Sequence, residues 1–449
     1  MINMISHIGS GHYFTHPVTR IVVVGFGFGG FSFCKKMRRR SWRKGMQDVD
    51  ILVISDRRYI TFTPLLPELA VSRLSVESAS ADIESLGKVL GFRFMLGRVD
   101  GIDMRARKVS VKGREIGYDI MVLSTGSSDN LHGISISGEN VISLRNVEDA
   151  SVVAEKLLRS KTIWENPDKS HYQITVIGGG QTGVEAASFL AERLMEIGRT
   201  TSKDSPGIIL LEASGRILSR EPDEVSEISQ RILRSKGVEY RTNINVKNID
   251  GSRILLGSGE ILHSGTIIWA AGIRPNTWMF GTQGILQTEG GRIVVNARLE
   301  IPGIKNAYVI GDIASPIVGD GKILAENASV AVQEGKFLAR HIANSILQGK
   351  HNEVEVFRYR NFGHVIPLGQ DSLFIGPKNR VLAGPLGRGI AWFIHFIELF
   401  TNQNRVRFLL ESILHRAKTV RSGKDRSPGR ASACHGCQES SQTMERQTL

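Results

Sequence analysis

Two stretches of this chain repeat one design. The run from Arg20 to Gly30 (RIVVVGFGFGG) and the run from Ile174 to Gly183 (ITVIGGGQTG) each carry an apolar strand into the spacing G-x-G-x-x-G. A helical stretch follows each, and then a second apolar strand that ends on an acid, Asp56 after ILVIS and Glu212 after IILL. One such glycine loop is weak evidence, but strand, glycines, helix, strand and acid in sequence meet the context that a dinucleotide-binding βαβ unit requires. Meeting it twice makes coincidence improbable. Gly25, Gly27 and Gly30 form one phosphate cradle, and Gly178, Gly180 and Gly183 another, because glycines let the backbone approach a pyrophosphate that the helix N-terminus attracts. Asp56 and Glu212 are placed to accept hydrogen bonds from ribose hydroxyls. Capping of the strand ends is their bland alternative role.

Repetition continues beyond the loops. Tyr118 to Gly126 is a buried strand stopped by a glycine turn, and Gly265 to Gly272 is its counterpart in the second unit. Between the units, Phe92 to Val111 alternates as short antiparallel strands do. A further strand reaches Gly311-Asp312 and precedes an alanine-rich helix from Ala325 to Ile346. At 449 residues the chain has room for about three domains. With 3 cysteines it cannot be a disulfide scaffold, and a reducing compartment is the default. The 57 Lys and Arg against 44 Asp and Glu give +13, which suggests an anionic partner without choosing among nucleic acid, phospholipid and phosphorylated ligand. The first residues lack the basic and apolar regions of a secretion signal, and no apolar run reaches the 18 or more residues that span a bilayer.

Two dinucleotide sites in one chain make chemical sense when one nucleotide is a resident redox carrier and the other a soluble hydride donor, which is FAD with a nicotinamide. Glu212 opposes a 2′-phosphate and favours NADH over NADPH, although Arg216 is near. From about Thr19 to Leu414 the chain resembles the two-dinucleotide-fold flavoprotein reductases, and within them the type II NADH:quinone oxidoreductases. The resemblance implies an α/β fold with two Rossmann-like domains. These are a discontinuous FAD domain (18–140 and 290–350) with an inserted NADH domain (141–289), then a C-terminal α+β membrane-facing region (351–418) and a disordered tail (419–449). It assigns FAD to Gly25, Gly27, Gly30, Asp56, Arg57, Pro64, Leu65, the backbone at Val99, Thr125, Gly126, Gly311 and Asp312. NADH goes to Gly178, Gly180, Gly183, Glu212 and the Gly272 turn. Glu185 falls near the meeting point of nicotinamide and flavin, either positioning the donor or handling protons; its plain alternative is to complement a helix N-terminus.

The acceptor is less sharply written. Disulfide reductases of this superfamily carry a thiol after the FAD acid, and Arg57 to Glu68 contains none. Cys34 reads as a small buried hydrophobe. Cys434-His-Gly-Cys437 has redox or half-zinc spacing but sits in the tail, and no metal site is expected. The family's AQxxxQ signature is kept at Gln333, whereas Ser329 replaces its first glutamine. Two apolar-basic helices, 390–401 and 405–416, carry Trp392, Arg405, Arg407 and Arg416 and have the composition of helices lying in a headgroup layer, with an oligomer interface as the alternative. The cluster Lys35, Lys36, Arg38, Arg39, Arg40, Arg43 and Lys44 reads as a solvated helix end that could also meet anionic lipid.

The expectation is therefore a peripheral enzyme on the cytoplasmic side of the cell membrane, in a respiratory chain. It passes a hydride from NADH to FAD and two electrons to a membrane quinone without pumping protons. The oligomeric state stays open, a homodimer included. Rival readings are a soluble NADH-dependent reductase of a ferredoxin or rubredoxin, and an FAD-containing nucleic-acid-binding protein. No nucleic-acid partner is expected, since no reader motif accompanies the dispersed charge.

Overall fold

Short Val, Ile and Leu runs buried on both faces suit interior strands of parallel sheets, and the computed structural model arranges them as two such sheets. It describes residues 18–44, 49–163, 173–196, 207–280, 285–316, 324–348 and 355–424. The first sheet has the order Ala307–Val309, Ile120–Leu123, Thr19–Val24, Val49–Ser55, Arg93–Leu96, all parallel. The second repeats it as Val141–Ser143, Thr266–Trp269, Ile174–Ile177, Ile208–Leu211, Val238–Arg241. In both, the strand that enters the glycine loop is central. The repeat read in the sequence is thus a repeat of sheet topology.

One expectation needs correcting. Arg93–Leu96 is not an antiparallel strand but the parallel edge of the first sheet. The helix before it, Ile83–Leu90, is capped by Asp82 through Ser85 N at 2.7 Å and closed by left-handed Gly91, so it acts as a crossover and returns the chain in parallel. The antiparallel meander begins only at Val99–Asp103, continuing through Lys108–Val111 and Arg114–Gly117.

The first dinucleotide helix, Phe28–Lys44, packs along helix Ala328–Gln348. Their backbones approach so closely that a Cβ on Gly335 would lie 2.3 Å from the Gly29 carbonyl oxygen. Cys34 is buried on the first of these helices with its thiol pushed well up by desolvation, as a structural cysteine should be. Elsewhere an ion cluster joins three parts of the chain. Glu192 on helix Gln181–Glu196 accepts from Lys236 Nζ at 2.7 Å and Gln370 N at 2.6 Å, and Arg73 Nη2 lies 2.9 Å from its other oxygen. Such a cluster fixes geometry because removing any one member strands buried charge.

The C-terminal region forms strands His364–Leu368, Asp371–Ile375 and Val381–Leu382, then helices Gly384–Glu398 and Asn402–Lys424. The first helix starts earlier than expected and ends at Glu398 rather than residue 401, and the second exceeds its expected bounds at both ends, so the first residues assigned to the tail are helical; Cys434, His435 and Cys437 lie outside the described residues. Among the described residues no helix is long and apolar enough to cross a membrane. Arg405 and Trp392 do not face outward as expected. Arg405 donates to the carbonyls of Phe396, Ile397 and Leu399 and so caps the preceding helix, while Trp392 stacks on Phe396 and Phe408 between the helices.

Gly335→Ala is expected to lower the apparent Tm by several degrees, consistent with the ~1–3 kcal/mol cost of overpacking a tight contact. Thermal unfolding followed by circular dichroism checks this, and an unchanged Tm would show that the helices can separate freely.

Candidate functional site

Each glycine loop divides its labour the same way. Gly25 has φ of 88°, and a Cβ there would meet the backbone of Ser124 at 2.3 Å; one on Gly30 would meet the Gly25 carbonyl oxygen at 2.9 Å. In the second loop a Cβ on Gly178 would meet Ala270 O at 2.3 Å, and one on Gly183 would meet Gly178 O at 1.9 Å. The first and third glycines are therefore packing positions. The second ones, Gly27 and Gly180, look onto open space. That is the opening through which a pyrophosphate reaches backbone amides at the helix start, and it is the fit that FAD and NADH require.

The two cradles are joined at their mouths. Strand Ile120–Leu123 ends at Thr125-Gly126 beside the first loop, and strand Thr266–Trp269 ends at Ala270 beside the second. From there the chain crosses as Ser127–Asp129 paired antiparallel with Ile273–Pro275. Thr125 Oγ1 donates to Asn276 O at 2.8 Å, and Asn276 Nδ2 returns a bond to Thr125 O at 3.0 Å. Gly272, with φ of 129°, turns against His132, whose Nε2 sits 2.8 Å from Ala271 O. Thr125 and Gly126 thus stand at one end of this junction and Gly272 at the other.

On the FAD side, Asp56 and Arg57 stand exposed past the end of their strand. Asp312 accepts from Ser127 Oγ at 2.6 Å. Gly311 N donates at 2.6 Å to Glu334 Oε2, a carboxyl that is wholly buried, pushed up to about 8 by desolvation, and left without a partner on Oε1. Pro64 is partly exposed in the turn Thr63–Leu65, but the Leu65 side chain is wholly buried and offers no surface to a ligand. Val99 is buried, and its carbonyl accepts from Trp278 Nε1 at 3.3 Å.

On the nicotinamide side, Glu212 accepts from Gly179 N at 2.5 Å and Ser214 N at 2.7 Å. The acid both ends its strand and ties down its own glycine loop, the capping role weighed for it. Arg216 is occupied by the carbonyls of Leu218, Ser219 and Glu221 and by Asp223 at 3.1 Å, which weakens it as a phosphate ligand.

Glu185 and Gln333 lie on different helices, and the structure links them through one segment. Gln181 Nε2 donates to Glu185 Oε1 at 2.9 Å and to Val365 O at 2.9 Å. Gln333 closes on Arg360 in both directions, Nε2 to O at 2.9 Å and Oε1 from N at 3.0 Å, with Ser329 Oγ 3.4 Å away. Residues 360–365 therefore run from the FAD-side helix to the nicotinamide-side helix. Burial pushes Glu185 up to about 8, making it a neutral acid at neutral pH rather than a charge complementing the helix dipole. Gln181, Ser127, Arg145 and Glu334 were not singled out from the sequence. Gln181 stands one turn before Glu185 and Glu334 beside Gln333, a signal that was available; nothing in the spacing points to Ser127 or Arg145. Among the described residues no acid, His or Cys cluster could hold a metal.

Residues 19–335 match the family described as pyridine nucleotide-disulphide oxidoreductase. The chain is 27% identical over 313 residues to a probable NADH dehydrogenase of Dictyostelium discoideum, spanning 66% of this chain and 68% of that one. It is 29% identical over 305 residues to a type II NADH:quinone oxidoreductase of Staphylococcus haemolyticus, spanning 66% and 74%. The fold is similar to that of NDH2 from Plasmodium falciparum solved with NADH, with TM-score 0.78, 19% identity, and 88% and 98% of the two chains covered.

The sign of the Glu185 shift fixes a pH dependence. Folded Glu185 keeps a proton that the unfolded carboxyl releases near 4.5, so its contribution to stability falls as pH rises from there to about 8. Glu185→Gln is expected to lose less Tm than the wild type between about pH 5 and about pH 8, with Glu334 leaving a residual slope. Parallel Tm-against-pH curves for the two proteins would contradict the assignment.

Proposed function

The chain belongs to the pyridine nucleotide-disulphide oxidoreductase family, and from that premise we propose that it is a non-pumping NADH:quinone oxidoreductase working at a membrane surface. The carrying observation is the pair of open glycine cradles joined mouth to mouth by one antiparallel crossing. FAD, when bound in the first cradle, supplies hydride acceptance and onward electron transfer. The protein's part is placement. Gly27 and Gly180 admit the pyrophosphates, Asp56 and Glu212 meet ribose hydroxyls, and Asp312 meets the ribityl chain. Glu185, neutral and oriented by Gln181, holds a proton on the helix that starts at the second cradle without adding charge that would repel a hydride donor.

A thiol acceptor does not suit this chain despite the family's name. No cysteine lies in the stretch Arg57 to Glu68 directly after the FAD acid, and Cys34 is sealed in the core. A lipid-soluble acceptor fits better. Helices Gly384–Glu398 and Asn402–Lys424 expose Leu386, Phe393, Ile397, Val406, Leu410 and Leu414, while Arg407 stands out beside them. That apolar face suits the interfacial layer of a bilayer, with Arg407 at its edge 3.7 Å from Glu77. Beneath the helices lies a cavity of about 90 Å³ whose walls include Phe189, Trp392, His395 and Phe408. Phe189 is one helical turn beyond Glu185, so one wall of the cavity is formed by the helix that starts at the second cradle. Burial lowers His395 to about 4, so this ring is neutral, while Glu68, Arg73 and Arg388 complete the lining.

Steady-state oxidation of NADH with a short-chain quinone is expected to outrun that with ferredoxin or rubredoxin, and the protein should float with anionic vesicles. Faster turnover with the small proteins, or no flotation, would favour a soluble reductase. Glu212→Ala should narrow the preference of kcat/KM for NADH over NADPH by about tenfold, the effect of removing one charge opposed to a phosphate; an unchanged ratio would remove Glu212 from nucleotide selection.

A further inference from the structure

Asp312, the carboxylate assigned to the ribityl chain, is itself held by a side-chain relay that reaches into the other domain. Ser127 Oγ lies 2.6 Å from Asp312 Oδ2, and Arg145 Nη2 lies 3.0 Å from the same hydroxyl and 2.7 Å from Ser127 O. The polarity of the chain has one solution. A guanidinium can only donate and an ionised carboxylate can only accept, so the single hydroxyl proton must point to Asp312 while its lone pair faces Arg145. Charge at both ends polarises the middle group and strengthens each bond.

The three residues come from three parts of the fold. Asp312 follows strand Ala307–Val309 of the first sheet, Ser127 opens the crossing, and Arg145 follows strand Val141–Ser143 of the second sheet. Arg145 is fixed in turn. Its backbone N donates to Asp149 Oδ2 at 3.0 Å in the first turn of helix Val147–Ile163, whose Asp149 N is capped by Asn146 Oδ1 at 2.7 Å, and its Nε lies 3.8 Å from Asp129.

We propose that Arg145 and Ser127 are positioning residues that commit one oxygen of Asp312 and present the other to the ribityl hydroxyls of FAD. The relay also fastens the nicotinamide domain to the FAD-side carboxylate, so the two domains share one orientation at the cofactor. It rests on the assignment of FAD to the first cradle.

The test is titration of apoprotein with FAD, followed by flavin fluorescence, for wild type, Ser127→Ala, Ser127→Thr, Arg145→Met and the Ala/Met double variant. Ser127→Ala and Arg145→Met should each raise the Kd about tenfold or more, as loss of a charge-assisted hydrogen bond does. The double variant should be no weaker than the worse single one, because either change breaks the same chain. Ser127→Thr keeps the hydroxyl and should bind as wild type does, a rescue that a space-filling role would not give. Affinities within twofold of wild type, or effects that multiply as independent sites do, would overturn the relay while leaving the FAD assignment intact. A wild type that takes up no FAD would overturn both. Should Arg145→Met fail to fold, the contrast between Ala and Thr at Ser127 decides.

Discussion

Both nucleotide cradles depend on a backbone contact that only glycine allows. Gly25 lies against the end of the strand that finishes at Leu123, and Gly178 against the end of the strand that finishes at Trp269. Each contact brings a phosphate loop to the place where the chain leaves one sheet for the other. The crossing strands, the Thr125–Asn276 bonds and the Gly272 turn follow from it. A side chain at either first glycine would push its loop off the strand end and separate the cradle from the junction.

Around that frame, acids are used in two ways. Asp56 stays exposed at the end of its strand. Glu185 and Glu334 are buried and raised to about 8, so near neutrality they are polar without being charged. Each is held by one local bond, from Gln181 and from Gly311 N respectively. A neutral carboxyl is a hydrogen-bonding group that does not perturb a hydride donor electrostatically, and its proton can be exchanged without first desolvating a charge. Gln333 and Gln181 then hold opposite ends of residues 360–365, so the C-terminal region is anchored to both cofactor helices before it reaches the surface that faces outward.

What could be read from the sequence was whatever is local. The glycine loops, the strand-ending acids and Gly311-Asp312 announce themselves within a dozen residues, and the structure gives each the strand, helix or turn expected. Cys34 was legible because an apolar helix face leaves a thiol nowhere else to go. The rest turns on partners far along the chain. The parallel pairing of Arg93–Leu96 needs the crossover helix before it, and the tying of Gln333 to Arg360 needs the C-terminal segment to return. Arg405 looked like a lipid anchor by composition, yet open carbonyls at the end of the previous helix claimed it. The relay from Arg145 to Asp312 joins residues more than a hundred positions apart, and no spacing rule could have paired them.

The central claim is that a nicotinamide in the second cradle reaches a flavin in the first. Anaerobic mixing of the FAD-loaded protein with NADH, followed by flavin absorbance, tests it most directly. Rapid bleaching with saturation in NADH is the predicted result. Bound FAD that stays oxidised in excess NADH would contradict the account.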